Sequence, residues 1–330
     1  MKTANFLSFL FVGTFAAVVA EKVAPELCGE CWCIPDEGDS CPAFGNGITN
    51  KLDQGVVEIL NSFALKNEFE LKSADGGPCN PVPANGIVLP ECVGPDIPSG
   101  PYVSCAMKFT GEGCCGREYE LVNYVSDDPD ISQVNNESFV ITHREACGVC
   151  SSAQDLAILG TGIAKSGLTV DAQAIACGFS FFANKDFDKL VQCFAVDMGY
   201  TSSCALLWSH ATGATAANCA SQCLSQGDNN GPAPECKVNA CINCTETVLG
   251  EGYDMILGRA GTASGLTNSI ARDCSAFSPI NHDYCNGTTP SCKTDESLTG
   301  PTTSIAANNF ALSVPFFVLS FGFTLLQMHF

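Results

Sequence analysis

Between residues 101 and 143 the apolar positions come in short alternating or β-branched runs, "PYVSCAMKF", "YELVNYV" and "SFVITH", each bounded by turn residues. That pattern predicts strands. Beyond residue 143 the spacing lengthens to that of helices. In "NKDFDKLVQCF", Phe187, Leu190, Val191 and Phe194 share one face behind a candidate cap at Asn184. "TSSCALLWSHA" follows with its own Thr/Ser start, and Cys219 and Cys223 lie one turn apart on a further short helix. So placed, those two cannot bond each other, and each is expected to bridge to another helix. Upstream, "LDQGVVEILNSFAL" sets Leu52, Val56, Ile59, Leu60 and Phe63 on one helical face. Near the other end "YDMILGRAGTASGLTNSIARDC" predicts a helix that Gly258, Gly261 and Gly265 weaken, which implies close packing or a break.

Two apolar runs stand outside this pattern. Residues 1–20 carry Lys2, then no charge until Glu21, and end in Val18-Val19-Ala20, the layout of a secretory signal peptide. Residues 310–330, "FALSVPFFVLSFGFTLLQMHF", are long enough to span a bilayer but have no basic flank after them. The polar spacer before them offers Ser304-Ile305-Ala306 as an attachment site. This is the arrangement of a glycosylphosphatidylinositol signal, with Ser304 the expected lipid-bearing residue and a retained membrane helix the alternative.

The resulting organisation is a signal peptide (1–20), a cysteine knot and helix (21–72), a Pro/Gly-rich disulfide-pinned loop or linker (73–100) and a central strand-then-helix module (101–224). A linker (225–235), a helical cysteine-rich module (236–292), a spacer (293–309) and the tail (310–330) complete it. The fold class expected is α+β and disulfide-rich, with short N-terminal strands and a knot followed by disulfide-stapled helices.

Cysteine chemistry sharpens this picture. All 22 cysteines fall between Cys28 and Cys292, an even count in a chain with a secretory leader, so disulfides are the economical reading. Cys28/Cys31, Cys147/Cys150 and Cys241/Cys244 have the Cys-x-x-Cys spacing of zinc sites, but an oxidising compartment consumes the thiolates zinc would need. No metal and no cofactor is assigned. Asn136, Asn243 and Asn286 begin glycosylation sequons, with Asn243 compromised by Cys244 inside its own motif.

Charge bounds the partners. The formal net charge is -20, and loss of Lys2 with the leader takes it to -21. Such a surface repels nucleic acid and favours cations or basic partners. "SDDPD", residues 126–130, lacks the alternating ligands and glycine of an EF-hand.

Cys147 and Cys150, in "THREACGVCSSAQDLAILG", are the one pair with candidate chemistry. A thiolate at a helix N-terminus is stabilised, and His143 and Arg144 stand nearby, so an extracellular thiol-disulfide oxidoreductase is one reading. Against it, a capping box on Ser151–Gln154 or Ser152–Asp155 leaves both cysteines before the helix. Asp155 would oppose a thiolate there, and no proline lies between Pro129 and Pro232 to form a cis-proline loop. The structural reading, a staple with His143 hydrogen-bonded at a strand end, is preferred. "GTGIAKSG", from Gly160, imitates a phosphate loop but has Ala164 where glycine is required, and reads as a turn.

Together with "MGYTSSCALLWSHATGATAANCASQCL", "CINCTETVLGEGYDMILGRAG" and "INHDYC", the Cys147 motif resembles an uncharacterised family of secreted cysteine-rich proteins of diatoms and related algae. The shared pattern is a Thr-His, a Cys-Gly-x-Cys, a Ser-Ser-x-Gln-Asp-Leu helix start and spaced cysteines. The resemblance covers Cys105 to Cys285 and the "CGECWC" knot; it implies an extracellular protein and brings no activity with it. Three classes follow. The first is a surface protein with a structural or interaction role, contacting cell-wall, matrix or cell-surface components. The others are the oxidoreductase and a binder of a small ligand or cation.

Overall fold

The computed structural model describes residues 52–94, 96–110, 117–127, 139–224, 238–259, 262–266, 280–282 and 284. The "CGECWC" knot, Asn136, Asn286, Ser304 and both terminal apolar runs lie outside them. The described residues form an α+β fold. Helix α1 (Gln54–Ser62) leads into a two-residue strand β1 (Ala64–Leu65), and β2 (Tyr102–Phe109), β3 (Glu118–Ser126) and β4 (Phe139–Arg144) follow. The sheet order is β1-β3-β2-β4, with β1 parallel to β3 and the other pairs antiparallel. The three longer strands coincide with the alternating runs. β2 turns Cys105, Met107 and Phe109 to a core shared with α1, and its intervening Ala106 meets Ile141 and Ile280 on the other face. A bulge between Cys105 and Ala106 gives β4 one extra residue, Thr142, and re-aims His143.

Seven α-helices are present among the described residues. After the sheet come α2 (Ala153–Thr161), α3 (Val170–Asn184), α4 (Phe187–Gln192) running into a π-helical turn Cys193–Met198, α5 (Ser202–Asn218), α6 (Ala220–Cys223) and α7 (Ala240–Leu257). Asn184, expected to cap the Phe187 helix, is instead the last residue of α3, and Asp186 is the cap, accepting from Lys189 N at 3.1 Å. Helix α3 was not expected: its small and aromatic residues give no clean stripe, and its start depends on Thr169, whose side chain caps Ala172 N. The C-terminal helix lies upstream of its expected centre, because Gly258 at φ 76 ends it and only Tyr253–Leu257 of the predicted stretch is helical.

Helix α5 forms the middle of the helical core. From Cys204 to Ala216 nearly every residue is buried, many of them Ala, Gly, Ser or Thr, so neighbours approach it from all sides. Cys219 and Cys223 bond Cys244 and Cys241 of α7, which is the helix-to-helix bridging their spacing required. Cys177–Cys193 joins α3 to the π-helical turn, and Cys79–Cys92 closes the Pro/Gly-rich loop. In the false phosphate loop, Lys165 N and Ser166 N already donate to Met198 O (3.0 Å) and Asp197 O (2.8 Å), leaving no amide cradle.

Candidate functional site

The Cys-Gly-Val-Cys segment joins the end of β4 to the start of α2, and its chemistry is set by what closes around it. Cys147 is bonded to Cys105 of β2, and Cys150 to Cys204 of α5. The two cysteines are therefore not bonded to each other; they staple one short turn to the sheet on one side and to the helical core on the other. Cys105, Cys147 and Cys204 are fully buried and Cys150 is 4% exposed, so an external thiolate has no approach. Between them Gly148 packs against Gly258 so closely that a β-carbon on either would overlap the other's backbone. Val149 N and Cys150 N donate to Ile256 O (3.0 Å) and Leu257 O (3.1 Å), tying the motif to the end of α7.

A polar centre surrounds the motif. Ser152 caps α2, its Oγ accepting from Asp155 N at 3.0 Å and donating to Asp155 Oδ2 at 2.6 Å. This is the Ser152–Asp155 frame, and it leaves both cysteines outside the first turn. Ala153 N, another free donor at that helix end, gives its hydrogen to Tyr119 Oη of β3 at 2.8 Å. Asp155 also accepts from Thr201 N and Thr201 Oγ1, both at 2.9 Å, so one carboxylate joins the starts of α2 and α5. Arg259, 4% exposed, donates to Ser152 O (3.1 Å) and Ser151 O (2.6 Å). Burial raises the Asp155 carboxyl, and the Ser152 and Thr201 hydrogen bonds and the Arg259 charge oppose the rise. Burial in turn lowers the Arg259 pKa, with Asp155 offsetting it.

His143 completes the cluster. Its Nδ1 lies 2.5 Å from Arg144 O, a pure acceptor, so Nδ1 carries the proton and Nε2 accepts from Ser151 Oγ at 2.8 Å. Ser151 Oγ itself accepts from Gly148 N at 2.8 Å. A serine donating to an oriented imidazole is the bonding pattern of a nucleophile and its base. Here both side chains have 0% exposure, and burial together with the nearby Arg259 charge drives the imidazole well below its usual range. The pair fixes a turn and meets no substrate. His143 thus sits hydrogen-bonded at the strand end, as expected, but with a serine partner that sequence reasoning did not name.

Sequence reasoning named Ser151 and Thr201 only as candidate helix-start residues and missed Arg259 and Tyr119 altogether. Ser151, Ser152 and Thr201 had a local signal, the helix-start pattern, whereas Arg259 is 107 residues from the nearer carbonyl it binds. Asn243 is exposed in the first turns of α7, but Thr245 of its sequon is buried beside Thr215, and Cys244 is disulfide-bonded. A cleft of about 360 Å³ between α1 and α2 is lined by Val57, Asn61, Phe63, Gln154 and Ile158, with Lys165 its one charged side chain. Among the described residues no group of three or more His, Cys, Asp or Glu is placed to hold a metal ion, and no helix is long and apolar enough to cross a membrane.

Buried histidines make a prediction. His282 accepts at Nδ1 from Tyr284 Oη (2.9 Å) and donates from Nε2 to Ser264 O (2.6 Å), and burial lowers it from 6.5 to about 4. A depressed histidine stabilises the fold while it is neutral in both states. That stability is lost as pH falls from 6.5 toward 4, where only the unfolded chain takes the proton. His282→Gln can keep both hydrogen bonds without titrating. Urea unfolding is expected to show a shallower pH dependence for the variant between pH 6.5 and 4, by up to about 1.4 kcal/mol per pH unit.

These features define a disulfide-stapled α+β protein, with twelve of its 22 cysteines paired in six described bridges, consistent with an oxidising, secretory-pathway setting. Within it, residues 187–280, from α4 past the end of α7, match a family of unknown function (DUF8771). No curated protein and no solved structure shows significant similarity to the chain.

Proposed function

We propose that this is a secreted protein tethered by a lipid at Ser304 to the outer face of the plasma membrane, acting by contact with cell-wall, matrix or cell-surface components. The observation that supports a contact role over chemistry is the closure of the Cys147–Cys150 segment. Its thiols are spent on two separate buried disulfides, and its one serine-histidine pair is sealed from solvent. A protein so stapled presents a rigid surface at low conformational cost. Asn136 and Asn286 are proposed to carry glycans on that surface.

Mass mapping of unreduced peptides from the secreted protein is expected to return Cys105–Cys147 and Cys150–Cys204. Under graded reductant these should open only with global unfolding. A Cys147–Cys150 bond that reduces ahead of the rest, at a potential above the roughly -300 mV of structural bridges, would replace this reading with the oxidoreductase. The tether is checked by phosphatidylinositol-specific phospholipase treatment of cells, which is expected to release protein truncated at Ser304. Protein that stays in the membrane with residues 310–330 attached would show a retained helix instead.

A further inference from the structure

The loop closed by Cys79–Cys92 exposes apolar residues that the fold does not use. Val88 is 97% exposed and Leu89 41%, within Gly86-Ile87-Val88-Leu89-Pro90. The loop is nevertheless held on both sides of Val88. Asn80, 2% exposed beneath it, donates from Nδ2 to Ile87 O at 2.7 Å and from its main-chain N to Pro90 O at 2.7 Å. Asn85 Oδ1 accepts from Ile87 N at 2.9 Å, and Asn85 Nδ2 lies 2.7 Å from His210 Nδ1 on α5, which anchors the loop to the central helix. Val93 N donates to Lys72 O at 2.9 Å just past the disulfide. The N–H and C=O of Val88 make no hydrogen bond among the described residues, and Leu89 N donates back across it to Ile87 O at 3.1 Å.

Val88 is the most exposed of the aliphatic side chains here, beside Leu89 and Val93 (51% exposed), and it stands between Ile87 and Pro90, whose carbonyls are fastened to the buried Asn80. We infer that Val88 is the residue with which this protein occupies and blocks the substrate cleft of a serine endopeptidase whose specificity pocket takes small aliphatic side chains. Such clefts take one side chain into a pocket whose size and charge set the preference, and a small pocket suits valine. The rigid loop loses little conformational freedom on entering, which is how inhibitors of standard interface size become tight. Were the Val88–Leu89 bond hydrolysed, Ile87 would stay fastened to Asn80 and Asn85, Pro90 to Asn80, and the two sides to each other through Cys79–Cys92. The cut ends would not separate, so the loop resists turnover. Exposed Glu91 and Asp96 favour an enzyme with a basic rim. This inference rests on the contact reading and names its partner; it does not depend on the lipid anchor.

The test titrates the full secreted protein against three purified serine endopeptidases, specific for small aliphatic, for aromatic and for Lys/Arg residues. Inhibition of the first is expected. Val88→Asp should weaken it at least about 30-fold, the scale of a central interface residue, and Val88→Lys should transfer inhibition to the Lys/Arg-specific enzyme. Both changes are at a solvent-exposed position, so an unaltered disulfide map confirms folding. Three results overturn the inference: no inhibition of any enzyme at micromolar protein, rapid cleavage at Val88–Leu89 with release, or inhibition indifferent to Val88→Asp. Binding to phosphatidylcholine vesicles that Val88→Asp abolishes, without inhibition, would make the loop a membrane contact instead. Failure here leaves phospholipase release unaffected, and failure of release leaves inhibition unaffected, so the two readings fall separately.

Discussion

Gly258→Ala is expected to deplete folded protein in the secreted fraction severely, with Gly148→Ala milder. The two glycines face each other where the Cys147–Cys150 turn meets the end of α7, and each backbone occupies the space a β-carbon on the other would need. The obstruction is main chain on both sides, so no side chain can swing away. Gly258 carries a second constraint: at φ 76 it is the left-handed cap of α7, strained for any L side chain. Separating the elements would pull on the Val149 and Cys150 amide bonds to Ile256 and Leu257, and on disulfides running to the sheet and to α5. Overpacking alone costs about 1–3 kcal/mol, and strain at a special φ adds about as much again. Against a typical stability of about 5–15 kcal/mol, a loss of about 2–6 kcal/mol removes a large share of the margin for folding in the secretory pathway. Secretion yield, with urea unfolding of whatever is secreted, measures it. Gly252→Ala is the control, since nothing stands near its β position, and should secrete normally.

Asp155→Ala carries the next largest effect, about 3–5 kcal/mol in urea unfolding. It strips the acceptor from Ser152 Oγ, Thr201 N and Thr201 Oγ1 together and leaves the buried Arg259 charge without its compensating carboxylate. Asp155→Asn keeps acceptor oxygen but loses charge, and should cost roughly half as much. Because the cost is largely that of an unpaired buried charge, adding Arg259→Met to Asp155→Ala should recover part of the loss rather than deepen it. Simple additivity in that double-variant cycle would show that the two groups act independently.

Much of the architecture was legible because it is local. The three long strands follow from alternation and β-branching over six to nine residues, and the bridging of Cys219 and Cys223 follows from helical geometry alone. The Ser152 cap was visible as one of two frames. Asn184 was misassigned because both it and Asp186 are competent caps, and the choice between them depends on where α3 ends. That helix was invisible to periodicity because its exposed side also carries apolar residues, Ala172, Ala176, Phe182 and Ala183, so the buried row of Val170, Ala174 and Cys177 does not stand out in the sequence.

The candidate site was legible only as a question. Residues 142–160 announced a cysteine pair beside a histidine at a helix start, and that juxtaposition is compatible with redox chemistry or with a staple. Local sequence sets the backbone geometry around a thiol, its helix position and nearby charges. It says nothing of which sulfur lies across the gap, since pairing is decided when elements far apart in the chain dock. Cys105, 42 residues before Cys147, and Cys204, 54 residues after Cys150, arrive only through the sheet and α5. The same holds for Arg259, whose charge is tolerable only inside a cluster drawn from β3, β4, α2 and α5, and for Val88, whose exposure depends on Asn80 being buried beneath it. Disulfide richness and the α+β order are written in runs and spacings that a short window contains; burial, pairing and exposure belong to surfaces that exist only once those elements meet.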